Sequence, residues 1–143
     1  MKKAICLILI AFLLCTLTAC ENKKIENPVN FYYLRAKYTY GSADSVISAE
    51  IHEYPDTNNT AGLITQYLKG PQDSILTSEF PFGTKLVMLQ QQDSSIYITL
   101  TDHISRLSGV PLSLACVCLA KTVMEYTGVN TVFISAETKF LAN

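Results

Sequence analysis

The strongest constraint on the fold is a regular alternation of apolar and polar side chains in the second half of the chain. In residues 96–101 (IYITLT), every second side chain is a large aliphatic one. Successive side chains of a strand point to opposite faces, so this period predicts a strand with one buried face. Residues 85–91 (KLVMLQQ) form another apolar run, and an Asp-Ser-Ser turn separates the two. The sequence therefore predicts a hairpin, whose apolar face needs a second layer to cover it.

A second hairpin is predicted at the start of the folded region. Residues 31–40 (FYYLRAKYTY) are rich in aromatic side chains, and residues 46–54 (VISAEIHEY) follow after a Gly-Ser-Ala-Asp turn. Both segments have the composition and the period of strands. In the second segment we expect the face with Ile47 and Ile51 to be buried and the face with His52 to be solvated.

Two helices are predicted from apolar residues at helical spacing. Residues 60–68 contain four such residues and are followed by Gly70-Pro71, a sequence that ends helices. Residues 111–126 (PLSLACVCLAKTVMEY) form the second helix, which ends at Gly128. Its predicted core stripe is Leu112, Ala115, Cys116, Leu119, Val123 and Tyr126.

The order of these elements predicts the fold class. A last strand around residues 132–134 gives the order strand, strand, helix, strand, strand, helix, strand. This order is typical of an α/β protein of the α+β sandwich type, in which a small mixed sheet carries two helices on one face.

The N-terminal segment is predicted to be a targeting signal rather than part of the fold. Residues 1–19 begin with two lysines and continue with an apolar stretch that is shorter than the roughly 20 residues of a membrane span. The stretch closes with Leu-Thr-Ala-Cys, which resembles a lipobox, so cleavage is predicted between Ala19 and Cys20. Cys20 would then carry acyl chains, including palmitate, that anchor the protein in the membrane. The alternative is an ordinary secretory signal with a cysteine nearby by chance.

The rest of the chain divides into a tether and one domain. Residues 20–30 are polar and are predicted to form the tether, and residues 31–143 form the single domain. Removing Lys2 and Lys3 from the 11 basic residues leaves 9 against 12 acidic residues, a formal charge of −3. This balance provides no basic stripe for nucleic acid, which is excluded as a partner. The expected location is the extracytoplasmic face of the cell membrane.

The residues that could carry catalysis or hold a metal are few. The chain has 2 histidines, and neither belongs to a metal-ligand motif, so no metal and no cofactor is predicted. Asp102-His103-Ile104-Ser105 contains the residue types of a hydrolytic triad, but neighbours in sequence do not converge, and a polar loop is the favoured interpretation. Cys116 and Cys118 lie about 200° apart around a helix and cannot share a metal or form a disulfide there. Cys116 is expected on the core stripe and Cys118 near its opposite edge.

Tyrosines offer the one candidate for a binding face. The chain has 8 tyrosines and no tryptophan, and Tyr32, Tyr33, Tyr38 and Tyr40 lie in the predicted first strand. An aromatic sheet face can stack on a glycan or on a partner protein. The alternative is that tyrosine is common in strands and tolerates partial exposure without a partner.

Several segments, in order and spacing, resemble the GerMN domain of exported bacterial lipoproteins. They are Leu68-Lys69-Gly70-Pro71, Pro81-Phe82-Gly83-Thr84, Ile98-Thr99-Leu100-Thr101, Cys118-Leu119-Ala120-Lys121-Thr122-Val123, Gly128-Val129 and Val132-Phe133-Ile134. The resemblance covers residues 31–134 and implies a non-enzymatic binding or assembly domain of the cell envelope, with a role in sporulation or germination. Its implied partner is an envelope protein or a cell-wall polymer.

This chain departs from the usual GerMN pattern after the last strand. Ser135-Ala136-Glu137-Thr138 stands where an Asp-Gly turn is usual, and a single copy of the domain is seen in the sequence. Roles that require tandem copies are therefore not implied. Two other interpretations remain open, a cell-wall-active enzyme with an unrecognised site and a domain that assembles into rings with itself.

Overall fold

Two three-stranded sheets and two helices make up the part of the chain that the structure, a computed structural model, describes: residues 25–37 and 46–137. The elements are β1 (Pro28–Arg35), β2 (Ile47–Glu53), α1 (Thr60–Tyr67), β3 (Leu76–Thr77), β4 (Leu86–Gln92), β5 (Ser95–Leu100), a 3-10 helix (Asp102–Arg106), α2 (Gly109–Thr127) and β6 (Thr131–Ala136). The predicted signal peptide, the lipidation site Cys20, and Tyr38 and Tyr40 lie outside the described residues. The predicted class, a small α/β sandwich, is confirmed.

The strands form two sheets rather than the single mixed sheet that the sequence predicts. The first sheet has the order β2-β1-β3, and all of its pairs are antiparallel. The second has the order β4-β5-β6, in which β4 and β5 form the predicted hairpin and β6 runs parallel to β5. A parallel pair needs a crossover connection, which α2 supplies. The two-residue strand β3 has no period of its own and was not predicted.

Helix α2 holds the two sheets together because it packs against both β1 and β6. Its buried residues include Ala115, Leu119 and Val123. Thr122 is fully buried, and its Oγ1 accepts a hydrogen bond of 3.0 Å from the backbone N–H of Tyr32 in β1. By length and composition α2 is also apolar enough to cross a membrane. A core helix passes the same test, and α2 packs against β1 and β6 along one face.

The orientation of α2 corrects the prediction for the two cysteines. Cys118 is 2% exposed and belongs to the core, whereas Cys116 is half-buried. Apolar residues occupy most sides of this helix, so the sequence alone did not define which stripe meets the sheets. Burial, followed by the nearby charge of Glu79, raises the pKa of the Cys118 thiol to about 12.

The buried face of strand β2 is the opposite of the one that the sequence predicts. Ile51 is 57% exposed and His52 only 6%. Glu50 pairs with Phe31, whose side chain lies in the core. Paired residues point to the same face of a sheet, so Glu50 and His52 both lie on the core-facing side. The His52 ring stacks on the Phe31 ring with 4.3 Å between centroids. The register of the hairpin, rather than hydrophobicity, decides which face is buried.

Candidate functional site

A groove with a volume of about 590 Å³ opens between the end of α1 and the segment that leads into β4. Its lining is mainly apolar, and its charged members are both lysines, Lys69 and Lys85. The lining residues are Thr65, Leu68, Lys69, Gly70, Ser78, Phe80, Pro81, Phe82, Gly83, Thr84, Lys85 and Leu86. No acidic side chain contributes to it. We refer to this feature as the lysine groove.

One wall of the lysine groove is the C-terminal end of α1. The helix begins at an N-cap, where the Asn59 side chain accepts a hydrogen bond of 2.7 Å from the N–H of Gly62. It ends where the N–H of Gly70 donates to the carbonyl of Tyr67, and Gly70 has a φ of +89°. Leu68 and Lys69 face the groove, whereas Tyr67 points into the core.

The other wall is a tight turn at Pro81–Thr84. The N–H of Thr84 donates to the carbonyl of Pro81 over 3.0 Å, and the Thr84 hydroxyl donates to the same oxygen over 2.7 Å. Gly83 occupies the third position of the turn with a φ of +89°, as a type II turn requires. The His103 ring lies beside it, with Nε2 3.5 Å from where a Cβ of Gly83 would be. The turn is therefore closed by two hydrogen bonds and has the His103 ring beside it.

Phe82 lies at the corner of this turn and is fully exposed, at 101% of the reference area. Phe80, two residues earlier, is 8% exposed and contacts the Tyr67 ring at 6.3 Å between centroids. A benzyl group in water is unfavourable by about 1.5–3 kcal/mol relative to a buried one. The exposure of Phe82 thus results from a turn with well-defined contacts, which presents the ring at the mouth of the groove.

The charged side chains that line the lysine groove are both positive. Within the described ranges, neither Lys69 nor Lys85 forms an ion pair. Both ammonium groups are available to an anionic ligand. The groove is suited to bind an apolar group that is accompanied by negative charge.

The tyrosines predicted as a binding face have other positions. Tyr33 is 1% exposed, stacks on Tyr67 at 4.8 Å and donates its hydroxyl to the Tyr67 carbonyl, so no partner can reach its ring. Tyr32 is half-buried between β1 and α2, where its hydroxyl donates to Glu125 and Lys121 lies 4.5 Å from its ring centroid. The hydrogen bond from Tyr32, with a second from Asn30, lowers the pKa of Glu125. A binding role for Tyr32 stays a prediction.

Exposed aromatic rings occur instead on the second sheet. Tyr97 and Phe133 lie on its outer face, 39% and 50% exposed, and their rings stack at 4.8 Å. The sequence pattern had placed Tyr97 on the polar side of β5, which is confirmed. Neither Phe82 nor Phe133 was singled out from the sequence. The sequence signal that could have identified Phe82 is a large apolar residue directly before the glycine of a turn.

The residue types of a hydrolytic triad are not arranged as one. The Ser105 hydroxyl donates to the Asp102 carboxylate over 2.9 Å within the 3-10 helix. The His103 Nδ1 instead lies 3.2 Å from the Thr101 hydroxyl. In the described part of the chain no three His, Cys, Asp or Glu residues form a cluster that could hold a metal.

His52 and Glu50 form a titratable pair that connects β2 to a neighbouring loop. Nε2 of His52 lies 2.6 Å from the Glu50 carboxylate, which also accepts the backbone N–H groups of Gln72 and Asp73. Burial raises the pKa of Glu50, but these hydrogen bonds outweigh it and lower the pKa below its usual value. The pair thereby ties β2 to the loop that leads into β3.

A comparison with solved structures finds the tandem GerMN domains of the sporulation protein GerM from Bacillus subtilis. The match has a TM-score of 0.58 and 20% sequence identity, and it covers 84% of this chain. The chain spans 44% of the GerM chain, less than half of its length. The protein thus has a GerMN-like fold, as the resemblance in its sequence implied. Comparisons with protein-family models and with curated proteins return no match.

Proposed function

We propose that this protein is a lipid-anchored binding module on the extracytoplasmic face of the cell membrane, which holds an envelope protein through the lysine groove. Acyl chains on Cys20 would provide the anchor, and residues 20–30 would separate the domain from the bilayer. A role in sporulation or germination is part of the proposal. It is supported by the GerMN-like fold shared with a sporulation protein.

The observation that carries the binding role is the exposure of Phe82 beside an apolar groove. Contiguous exposed apolar surface, here an apolar groove with an exposed ring at its mouth, is typical of interaction sites. The groove has the volume of a ligand site, which is about 300–1,000 Å³, and its walls are a helix end and a fixed turn. Both walls contain segments on which the GerMN resemblance rests, Leu68–Pro71 and Pro81–Thr84.

The anchor is tested by replacing Cys20 with serine and separating membranes from soluble material. The Cys20→Ser protein should leave the membrane fraction or keep its signal peptide, since serine cannot be acylated on sulfur. Cys15→Ser, which changes a cysteine inside the predicted signal peptide, is the matched control and should remain anchored. An unchanged Cys20→Ser protein, in both location and electrophoretic mobility, contradicts the anchor.

The binding role is tested with a photo-crosslinking phenylalanine analogue in intact cells. The analogue at position 82 should capture a specific protein, because the ring lies at the mouth of the groove. The same analogue at position 51, which is also exposed but lies on the first sheet, is the control. Identical products from both positions, or none from position 82, contradict the groove as the binding surface.

A further inference from the structure

We infer that the lysine groove recognises a polypeptide segment that carries a large apolar side chain next to one or two carboxylates. This inference rests on the proposed function, in which the groove is a binding surface, and adds the chemistry of the partner. It combines three features of the groove: its apolar lining, its two lysines and the accessible backbone at Gly70.

The apolar lining sets the central requirement. Leu68, Phe80 and Leu86 contribute to the walls, and Phe82 stands at the rim. A leucine or phenylalanine side chain that enters this space removes its own surface and part of the Phe82 ring from water. A large apolar residue is therefore the anchor of the segment.

The two lysines set the charge of the partner. They are the charged residues of the lining, one in each wall, and no described carboxylate neutralises them by an ion pair. After the proposed cleavage the protein carries a formal charge of −3, so it does not attract acidic partners as a whole. Attraction for carboxylates is local to the groove, and it fixes where and in which orientation an acidic segment binds.

The space at Gly70 leaves room for a polypeptide. No atom lies within 4 Å of the place where a Cβ of Gly70 would be, so the backbone is open on this side. A peptide can approach this backbone closely while its side chain fills the groove. A polyanion such as a phosphate-containing wall polymer would use the lysines but leave the apolar walls and the Phe82 ring exposed.

The inference is tested by selection from a random library of displayed 12-residue peptides. The bait is the full lipidated chain in detergent micelles, and Phe82→Ala serves for counter-selection. We expect the enriched peptides to combine an aromatic or large aliphatic residue with Asp or Glu within two positions. Their affinity should fall at least about 10-fold between 50 mM and 500 mM salt, because exposed ion pairs are screened.

Charge reversal supplies the second arm. The double variant Lys69→Glu, Lys85→Glu should bind the selected peptides at least about 10-fold more weakly. A new selection on this variant should enrich peptides that combine basic and apolar residues. Lys37→Glu, which changes an exposed lysine outside the groove, is the matched control and should keep the original selection.

The outcomes separate this inference from the proposed function. Enriched peptides that are apolar without acidic residues, and that depend on Phe82, overturn the charge requirement and leave the groove as a binding surface. Acid-rich peptides without an apolar anchor overturn the inference in favour of a polyanion site. No enrichment over the Phe82→Ala bait also overturns it, while crosslinking at position 82 in cells decides the proposed function separately.

Discussion

The buried aromatic residues of β1 and α1 and the exposed Phe82 ring of the lysine groove differ in what surrounds them. Tyr33 and Tyr67 are buried, stack on each other, and donate their hydroxyls to the backbone carbonyls of Tyr67 and Tyr32. Phe82 projects into water from a turn that is closed by its own hydrogen bonds. Aromatic content therefore does not locate a binding face. We therefore place the proposed binding face at a ring that lacks a partner within the fold.

The largest expected effect is the loss of a buried ring. Tyr67→Ala removes a side chain that contacts the rings of Phe31, Tyr33 and Phe80. We expect the free energy of unfolding to fall by about 3–5 kcal/mol because a cavity is left in the core. Urea denaturation measures this change. Tyr97→Ala, on the outer face of the second sheet, is the control, and an equal loss there would remove the distinction between the two kinds of aromatic site.

The next effect concerns the close approach of Gly62 to a buried tyrosine. A Cβ at this position would lie 2.4 Å from the Tyr54 hydroxyl oxygen and 2.6 Å from Nδ2 of Asn59. Gly62→Ala must displace the hydroxyl, which donates to the Asn59 carbonyl, or the N-cap of α1. We expect a loss of about 1–3 kcal/mol in thermal or urea unfolding. Ala61→Ser, on the exposed side of the same helix, is the control and should change stability little. A Gly62→Ala protein with unchanged stability would show that this contact can relax.

The polar network of the first sheet predicts a pH dependence. Glu50 has a lowered pKa in the folded protein, so its ionised form contributes stability above its usual value near 4.5 and loses it as the pH falls through the folded pKa. At pH 7, Glu50→Gln should cost about 1 kcal/mol because a charge-assisted bond is replaced by a neutral one. The difference from the original protein should shrink below pH 4.5.

Unfolding curves from pH 7 to pH 3 measure this effect. Glu26→Gln, which removes an exposed carboxylate before β1, is the control. A difference for Glu50→Gln that stays constant with pH would mean that the carboxylate acts only through its shape.

The smallest effect on stability is expected at the groove. Phe82→Ala should leave the free energy of unfolding within about 0.5 kcal/mol, because the side chain has no buried surface to lose. The same substitution should abolish binding of the enriched peptides described above. A clear destabilisation would contradict the distinction between the buried rings and the exposed Phe82 ring, since it would assign Phe82 a structural role.

The order of the elements was predictable because helix and strand periods are local. The hairpin of β4 and β5 has its buried face where the IYITLT pattern predicts it. Gly128 is the left-handed cap of α2 as expected, and α1 ends shortly before Gly70. Predictions failed where one element had to be oriented against another. Cys118 rather than Cys116 is buried, and His52 rather than Ile51 faces the core.

The lysine groove could not be predicted for a related reason. Its lining comes from residues 65–70 and 78–86, which become neighbours only when α1 packs beside β4. The exposure of Phe82 depends on the turn that Thr84 and Pro81 close and on the His103 ring, which lies about twenty residues further along the chain. No single window of sequence contains these contacts.

The sequence by itself determined most of the elements and their order, because backbone preferences and apolar periods act over a few residues. Its resemblance to the GerMN domain implied the fold. The tertiary structure alone decided the split into two sheets, the inward face of β2 and α2, and the exposure of Phe82 beside a groove lined by two lysines. These features follow from the register of β1 and β2 and from the packing of α2 across both sheets. Such contacts join residues distant in sequence, whose burial depends on the whole chain rather than on their own hydrophobicity.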